Sequence, residues 1–318
     1  MTRSARTAER VLVTGGAGFI GTHLVRRLAA TGADVTVIDD LSAPSAQPVP
    51  ASVTWHRLRL PDPRLRALVA EGRFARIFHL AGAAYVPPSI EDPAADLDNN
   101  AEVTLDVLEA IRRGSPTTPV VYTSSAAVYG SPTVLPITEA TPIVPVSPYG
   151  VSKYAAEQYV SLYARLHGLR TASLRLFSVF GPGQRKQVVF DLLAKLAADP
   201  DRLEVIGAGS EMRDFIFVDD VVTAALTVME RGPLAGEVYN VASGTGVTIR
   251  ELVGHVVAVL GLSPAVHYTG EVRPGDALHW VGDISPLRAL GFTPAVSVEA
   301  GVRRIAEWFA ELHAQVRA

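Results

Sequence analysis

Tyr149 and Lys153 stand four residues apart in the run Ser147-Pro148-Tyr149-Gly150-Val151-Ser152-Lys153. On a helix that spacing puts both side chains on one face, and Pro148 suits a helix start. A phenol with an ordinary pKa near 10 is a poor base at neutral pH. A neighbouring ammonium favours the phenolate, which can then take the proton of an alcohol. Ser125 lies just past an apolar run, Val120 to Ser124. A hydroxyl at such a strand end can share the alcohol proton and steady the carbonyl that forms as the alcohol is oxidised. Taken alone, a Tyr and a Lys at this spacing are common by chance, as a surface tyrosine and a solvated lysine. Their weight comes from what precedes them.

An oxidation needs an acceptor for the electrons, and the N-terminal residues supply a place for one. Thr14-Gly15-Gly16-Ala17-Gly18-Phe19-Ile20-Gly21 sets glycines at 15, 18 and 21, where an apolar strand, Arg10 to Thr14, gives way to a helical pattern at Ile20, Leu24, Val25 and Leu28. Gly15 permits the tight turn, Gly18 lets backbone approach a pyrophosphate, and Gly21 allows close packing of helix on strand. The helix opening at Phe19 and Ile20 offers unpaired N–H groups and a positive dipole end to phosphates. An acid, Asp39, follows about 20 residues on, as recognition of a ribose 2′-hydroxyl requires. Its carboxylate would repel a 2′-phosphate and no arginine lies immediately beside it, so the expected cofactor is NAD rather than NADP. The nicotinamide charge would then join Lys153 in favouring the Tyr149 phenolate.

These groups need a frame. After Arg10–Thr14, apolar runs at Val35–Ile38 and Ile77–Leu80 read as further strands, with a helix near 63–71 between them and another over about Ala94–Arg113 before Val120–Ser124. Short β runs alternating with helices indicate a parallel sheet covered on both faces. The expected class is α/β, a Rossmann-like doubly wound sheet with a smaller, sequence-interleaved C-terminal substrate domain. Residues 1–181, with returning segments about 214–243 and 281–288, are assigned to the NAD-binding domain, and about 182–213 and 244–318 to the substrate domain.

Composition narrows the partners. The 318-residue chain carries a net charge of −3 and no cysteine, so nothing global draws it to nucleic acid or an anionic membrane, and disulfides, Cys zinc sites and thiol nucleophiles are excluded. The eight histidines lack metal-ligand spacing, and no metal is expected. No apolar run is long enough to span a membrane, and residues 1–10 are not followed by a signal-type apolar segment, so a cytoplasmic location is expected.

The motifs together resemble the extended short-chain dehydrogenase/reductase family, in its nucleotide-sugar epimerase and dehydratase branch. The resemblance covers nearly the whole chain: TGGAGFIG at 14–21, SSAAVYG at 124–130, YGVSK at 149–153, RLFSVFGPGQ at 175–184, MRDFIFVDD at 212–220 and RPGD at 273–276. It implies a catalytic Ser125, Tyr149 and Lys153. It also implies a cofactor site that adds Asp40, Ser42, Leu60, Leu80, Ala81, Ala83 and Asn100 to the glycine turn and Asp39. On the substrate side it implies that Arg213 and Arg273 grip the nucleoside diphosphate, that Asp276 holds the ribose or orders its loop, and that the protein is a homodimer paired through two helices per subunit.

Family members begin by oxidising the sugar at C4, and they differ in the fate of the ketone. Dehydratases place an acid and a base directly after the catalytic Ser or Thr; here Ala126 and Ala127 stand there, and methyl groups transfer no protons. The related decarboxylases usually keep a glutamate at the second position, although a 4-keto uronic acid loses CO2 with little help. A C4 epimerase acting on a UDP-sugar is therefore the leading expectation, with an NDP-hexuronate decarboxylase as the alternative. A non-catalytic dinucleotide sensor is the alternative of another class, against which the intact Ser125, Tyr149 and Lys153 speak. Ser178 replaces the asparagine usual in the family motif, and Arg185 follows closely. Together they resemble the carboxylate-binding arrangement of UDP-glucuronate 4-epimerases; equally, Ser178 is a neutral replacement and Arg185 an exposed one. Arg59 stands where relatives have an aspartate near adenine.

Overall fold

Parallel strands buried on both faces must be apolar almost throughout, and the first strand, Arg10–Thr14, has every residue after Arg10 buried. The structure, a computed structural model, describes residues 8–45, 47–271 and 279–317. Its strands are β1 (Arg10–Thr14), β2 (Asp34–Asp39), β3 (Thr54–Arg57), β4 (Arg76–His79), β5 (Val120–Ser125), β6 (Thr171–Leu176), β7 (Ser178–Phe180), β8 (Arg202–Val205), β9 (Met212–Phe217), β10 (Ala235–Val241), β11 (Gly246–Thr248) and β12 (Ala265–Tyr268). The helices are α1 (Phe19–Ala30), α2 (Arg64–Gly72), α3 (Val86–Glu91), α4 (Pro93–Leu97), α5 (Val103–Gly114), α6 (Pro148–His167), α7 (Gln187–Ala198), α8 (Val218–Arg231), α9 (Ile249–Leu260), α10 (Ser285–Ala289) and α11 (Val298–Arg317).

Seven strands form one sheet in the order β10-β6-β5-β4-β1-β2-β3, and every neighbouring pair is parallel. Side chains alternate across it. Val11 and Val13 enter a core with Leu24, Val25 and Leu28 of α1 and Val221 of α8, while Leu12 enters a second core with Leu65 and Val69 of α2, Val107 and Ile111 of α5 and Val160 of α6. The α/β doubly wound architecture is as the sequence implied. No helix among the described residues is long and apolar enough to cross a membrane.

Several elements differ from the expectation. The helix expected over Ala94–Arg113 starts at Pro93, capped by Asp92, and is interrupted by a π-helical turn, Asp98–Glu102, between α4 and α5. Ser125 ends β5 rather than lying past it, because its backbone still pairs with Leu176 of β6. β3 was not anticipated: it is an edge strand, largely exposed, with no apolar run to mark it. β9 pairs with β7 and β11 in a small three-stranded sheet, and it is α8 and β10 that return to the large one. The two segments assigned to the substrate domain, about 182–213 and 244–318, meet, since β12 pairs in parallel with β8. The helix α6 begins as its sequence suggests: the Ser147 hydroxyl accepts from the Gly150 N–H at 3.2 Å and Pro148 fills the first turn.

Candidate active site

The glycine turn is shaped by contact with the neighbouring strand end. Gly15 has φ +72°, and a Cβ there would come within 2.6 Å of the Ala81 nitrogen; at Gly21 it would collide with the Gly15 oxygen. The turn thus lies against Leu80 and Ala81, and the Leu80 N–H donates to the Thr14 carbonyl at 3.0 Å. Gly18 is the N-cap of α1 and offers no side chain, so the N–H groups at Phe19 and Ile20 have no capping oxygen. Asp39 organises the turn from the second strand: its Oδ2 accepts from the Ala17 N–H at 2.9 Å and its Oδ1 from the Leu41 N–H at 2.8 Å. Each oxygen keeps a second lone pair, which suits ribose hydroxyl donors and excludes a phosphate. Asp40 holds the next turn by accepting from the Ser42 N–H at 2.9 Å. Leu60 is buried in the core with Ile38 and Leu65, so only its backbone is available to a ligand. Ala83 is half-buried beyond Gly82.

The candidate catalytic groups converge on the C-terminal edge of β5. Ser125 caps the 3-10 turn Ala126–Tyr129, its oxygen accepting from the Ala127 N–H at 3.1 Å, and its own proton is left to be directed at the Tyr149 phenol, whose pKa it lowers. Burial pushes Tyr149 up to about 12, against the opposing effect of Ser125 and with a further rise from Asp96. A phenolate therefore needs added positive charge. Lys153, one helical turn beyond Tyr149 on α6, carries such a charge: burial draws its pKa down to about 8, opposed by Asp96, so it remains a cation at neutral pH. Its Nζ donates to the Thr123 carbonyl at 2.9 Å and lies 5.0 Å from the centre of the Tyr122 ring.

The π-helical turn aims Asn100 at this site. Its amide nitrogen donates to Ser152 Oγ at 3.0 Å, and Ser152 donates in turn to the buried Asp96. That leaves Asn100 Oδ1 a buried acceptor without a partner among the described residues. A Cβ at Gly82 would sit 2.6 Å from this oxygen and 3.6 Å from Lys153 Nζ, so both atoms converge on bare backbone. A buried acceptor and an ammonium facing the same space are what a nicotinamide ribose needs, and with the uncapped α1 terminus and Asp39 the residues fit NAD.

Beneath Asn100 runs a directional chain. The Thr104 hydroxyl donates to the Asn100 carbonyl at 2.6 Å, so it must accept from His79 Nε2 at 3.1 Å; His79 Nδ1 then accepts from Thr14 at 2.7 Å. Burial, with Lys153 adding to it, lowers the His79 pKa to about 3 and keeps the ring neutral. The chain ties the strand before the glycine turn to the π-helical turn, and nothing in the local sequence signalled it.

In the small sheet, Ser178 opens β7, level with Phe215 of β9, and Arg213 lies two residues earlier on that strand and therefore on the same face. The Arg213 guanidinium stands over Trp280, 5.7 Å from the ring centre, and Trp280 donates to the Gly130 carbonyl at 3.0 Å. Asp214 is fully buried and accepts from the Ser243 N–H and hydroxyl, at 2.7 and 2.6 Å, and from the N–H groups of Gly244 and Gly282. It gathers two loops, 242–245 and the one at Gly282, behind Arg213. Arg185 is exposed in the loop before α7, and its neighbour Lys186 holds its Nζ 5.4 Å from the ring centre of Tyr85. The structure thus brings Ser178 and Arg213 onto one small sheet and leaves Arg185 on an exposed loop apart from it. Arg273 and Asp276 lie outside the described residues. Arg59 reaches Asn99 Oδ1 at 3.5 Å.

Residues 11–242 match the model of the NAD dependent epimerase/dehydratase family. The UDP-glucose 4-epimerase of Mycolicibacterium smegmatis is 34% identical over 313 residues, covering 94% of this chain and 98% of its own. Among solved structures, the UDP-glucose 4-epimerase of Thermotoga maritima with UDP-glucose superposes with a TM-score of 0.89 at 31% identity, covering 96% of this chain and 99% of that one. MoeE5 in complex with UDP-glucuronic acid and NAD superposes with a TM-score of 0.85 at 31% identity, covering 95% and 99%.

Proposed function

This chain belongs to the NAD dependent epimerase/dehydratase family, and from that premise we propose that it interconverts the C4 epimers of a UDP-sugar, with UDP-glucuronic acid as the preferred substrate. The observation that carries the reaction type is the buried Ser125, Tyr149 and Lys153 set beside positions 126 and 127 that hold only methyl groups. Tyr149 takes the proton of the C4 hydroxyl, Ser125 shares it, and Lys153 keeps the phenolate affordable in a buried site. NAD, when bound, accepts the hydride from C4 and returns it. The glycine turn, Asp39 and Asn100 hold it, and with no acid at 126 or 127 to eliminate water, the ketone persists until it is reduced from the other face.

The preference for a uronic acid rests on Ser178 and Arg185, a hydroxyl and a guanidinium that suit a C6 carboxylate. Two of the relatives hold UDP-sugars, one of them UDP-glucuronic acid. Arg213 serves the diphosphate in this reading, as do Arg273 and Asp276 on the substrate side. The large sheet with α1 to α6 is the NAD-binding domain, and the small sheets with α7 and α9 form the substrate domain. The reading includes a cytoplasmic homodimer, supported by exposed apolar side chains at Leu97, Val151 and Tyr159 on α4 and α6.

The test is to incubate the purified protein with UDP-glucose, UDP-galactose, UDP-N-acetylglucosamine and UDP-glucuronic acid and follow products by NMR. UDP-galacturonic acid from UDP-glucuronic acid is the expected outcome. Turnover of neutral sugars alone overturns the role given to Ser178 and Arg185, and a UDP-pentose with CO2 makes the enzyme a decarboxylase.

A further inference from the structure

Further along the face of α6 that carries Tyr149 and Lys153 lies a second set of buried polar groups that the proton chemistry does not use. Arg175, in β6, is 4% exposed, and Glu157, in α6, is fully buried. The guanidinium donates to both carboxylate oxygens, Nε to Oε2 at 2.9 Å and Nη2 to Oε1 at 2.6 Å. Its third arm, Nη1, donates to the Tyr129 hydroxyl at 2.7 Å, with Cζ 4.7 Å from the centre of that ring. Burial pushes the Tyr129 pKa up to about 12, against the lowering effect of Arg175, so the hydroxyl keeps its proton and donates it to Asn240 Oδ1 at 2.7 Å. Asn240 is fixed in turn, its amide nitrogen donating to the carbonyls of Ile137 at 2.9 Å and Asp283 at 3.2 Å.

Within this chain, Arg175 joins the two elements that carry the proposed catalytic groups. Glu157 lies one turn beyond Lys153 and two beyond Tyr149, on the same face of α6. Tyr129 closes the 3-10 turn whose N-cap is Ser125. Arg175 is therefore a planar fork with one side on the helix of Tyr149 and the other on the turn of Ser125. As a means of holding the fold together such a pair is poor, because desolvation of two buried charges offsets much of their attraction. What the fork supplies is a fixed distance and orientation between the elements it joins.

We propose that Arg175 and Tyr129 are positioning residues for the reaction: they fix the Ser125 hydroxyl against the Tyr149 phenol and through that contact favour the phenolate. This rests on the reading of Tyr149 as the base. The groups that bear on the Tyr149 phenol are Ser125 from the turn, Asp96 from α4 and Tyr122 from β5, and Lys153, one turn further along its own helix, lies over the Tyr122 ring. Of these, Ser125 lowers its pKa by hydrogen bonding, and only Ser125 stands on the element that Tyr129 closes.

The test reads the phenol directly. In NAD-loaded protein labelled with 13Cζ-tyrosine, the Tyr149 signal is assigned by its loss in Tyr149→Phe and its titration midpoint is measured by NMR. Tyr129→Phe removes one oxygen and keeps the ring against Arg175. It is expected to raise the Tyr149 midpoint by about one pH unit, as for a weakened hydrogen bond to the charged form. Ser125→Ala is expected to raise it at least as far, and adding Tyr129→Phe to Ser125→Ala should raise it no further. Arg175→Lys, which keeps the charge and loses the fork, should act like Tyr129→Phe where it folds. A purely structural role would lower the melting temperature of Tyr129→Phe and leave the midpoint at its wild-type value. That result, or full additivity with Ser125→Ala, overturns the proposal. The readout does not depend on the sugar: an unaltered turnover of UDP-sugars by Tyr149→Phe would overturn the functional reading while leaving the midpoints of the other variants interpretable.

Discussion

The two walls of the cleft are built differently. On the wall assigned to the cofactor and the reacting carbon, His79, Asn100, Lys153 and Tyr149 are at most 9% exposed, and all but Asn100, which sits in the π-helical turn, belong to regular strands and helices. Their hydrogen bonds run in defined directions, from Thr14 through His79 and Thr104 to Asn100. On the wall assigned to the far end of the sugar, Arg185 and Lys186 are exposed on a loop, and a tyrosine ring 5.4 Å from its ammonium is what steadies Lys186. Proton and hydride chemistry needs fixed geometry away from water, so it sits in the buried wall. In the proposed reading, choice of sugar rests on a few exposed polar contacts, which can change without disturbing the sheet.

The largest effect should come from the buried wall. Tyr149→Phe is expected to cut turnover by roughly 10²- to 10⁴-fold while sparing nucleotide-sugar binding, checked by steady-state kinetics and calorimetry. The same wall should be sensitive to acid. His79 has a pKa of about 3 in the folded protein against 6.5 for the free side chain. Between those values the unfolded chain binds the proton and the folded one does not, so stability falls as pH drops below about 6.5, by up to about 1.4 kcal/mol per pH unit. Urea unfolding between pH 7 and pH 4.5 should show this, and His79→Gln, though less stable at pH 7, should lose stability less steeply. Equal slopes would mean that His79 is not the group responsible.

On the exposed wall, Arg185→Ala should impair use of UDP-glucuronic acid about 10- to 150-fold more than use of UDP-glucose, as for loss of a charge-assisted hydrogen bond. Similar losses for both sugars would remove the carboxylate contact. The smallest effect concerns the cofactor's adenosine end. Asp39→Ala should narrow the preference for NAD over NADP by about tenfold, read by calorimetry, since one carboxylate near a phosphate in a solvated site contributes on the order of 1.4 kcal/mol.

The same contrast explains what was legible in the sequence. β1 and the glycine turn could be read because a strand buried on both faces is a continuous apolar run and the turn allows no Cβ. The start of α6 could be read because Ser147 and Pro148 are local signals. The π-helical turn could not, since one extra residue in a helical turn leaves no compositional trace, yet it is what directs Asn100. β3 is half solvated and short. The fork from Arg175 to Glu157 and Tyr129 joins residues 18 and 46 positions apart, and no local pattern records such a contact. Ser125, Tyr149 and Lys153 were recognisable as types, but the geometry that relates them depends on partners elsewhere in the chain.

The central claim is that hydride leaves C4 and returns to it within one site. UDP-glucuronic acid deuterated at C4, incubated with enzyme as purified and no added nicotinamide, tests this most directly by NMR of the product. The account predicts the C4 epimer with deuterium still at C4. Release of the label to water, or its loss with formation of a pentose, would contradict it.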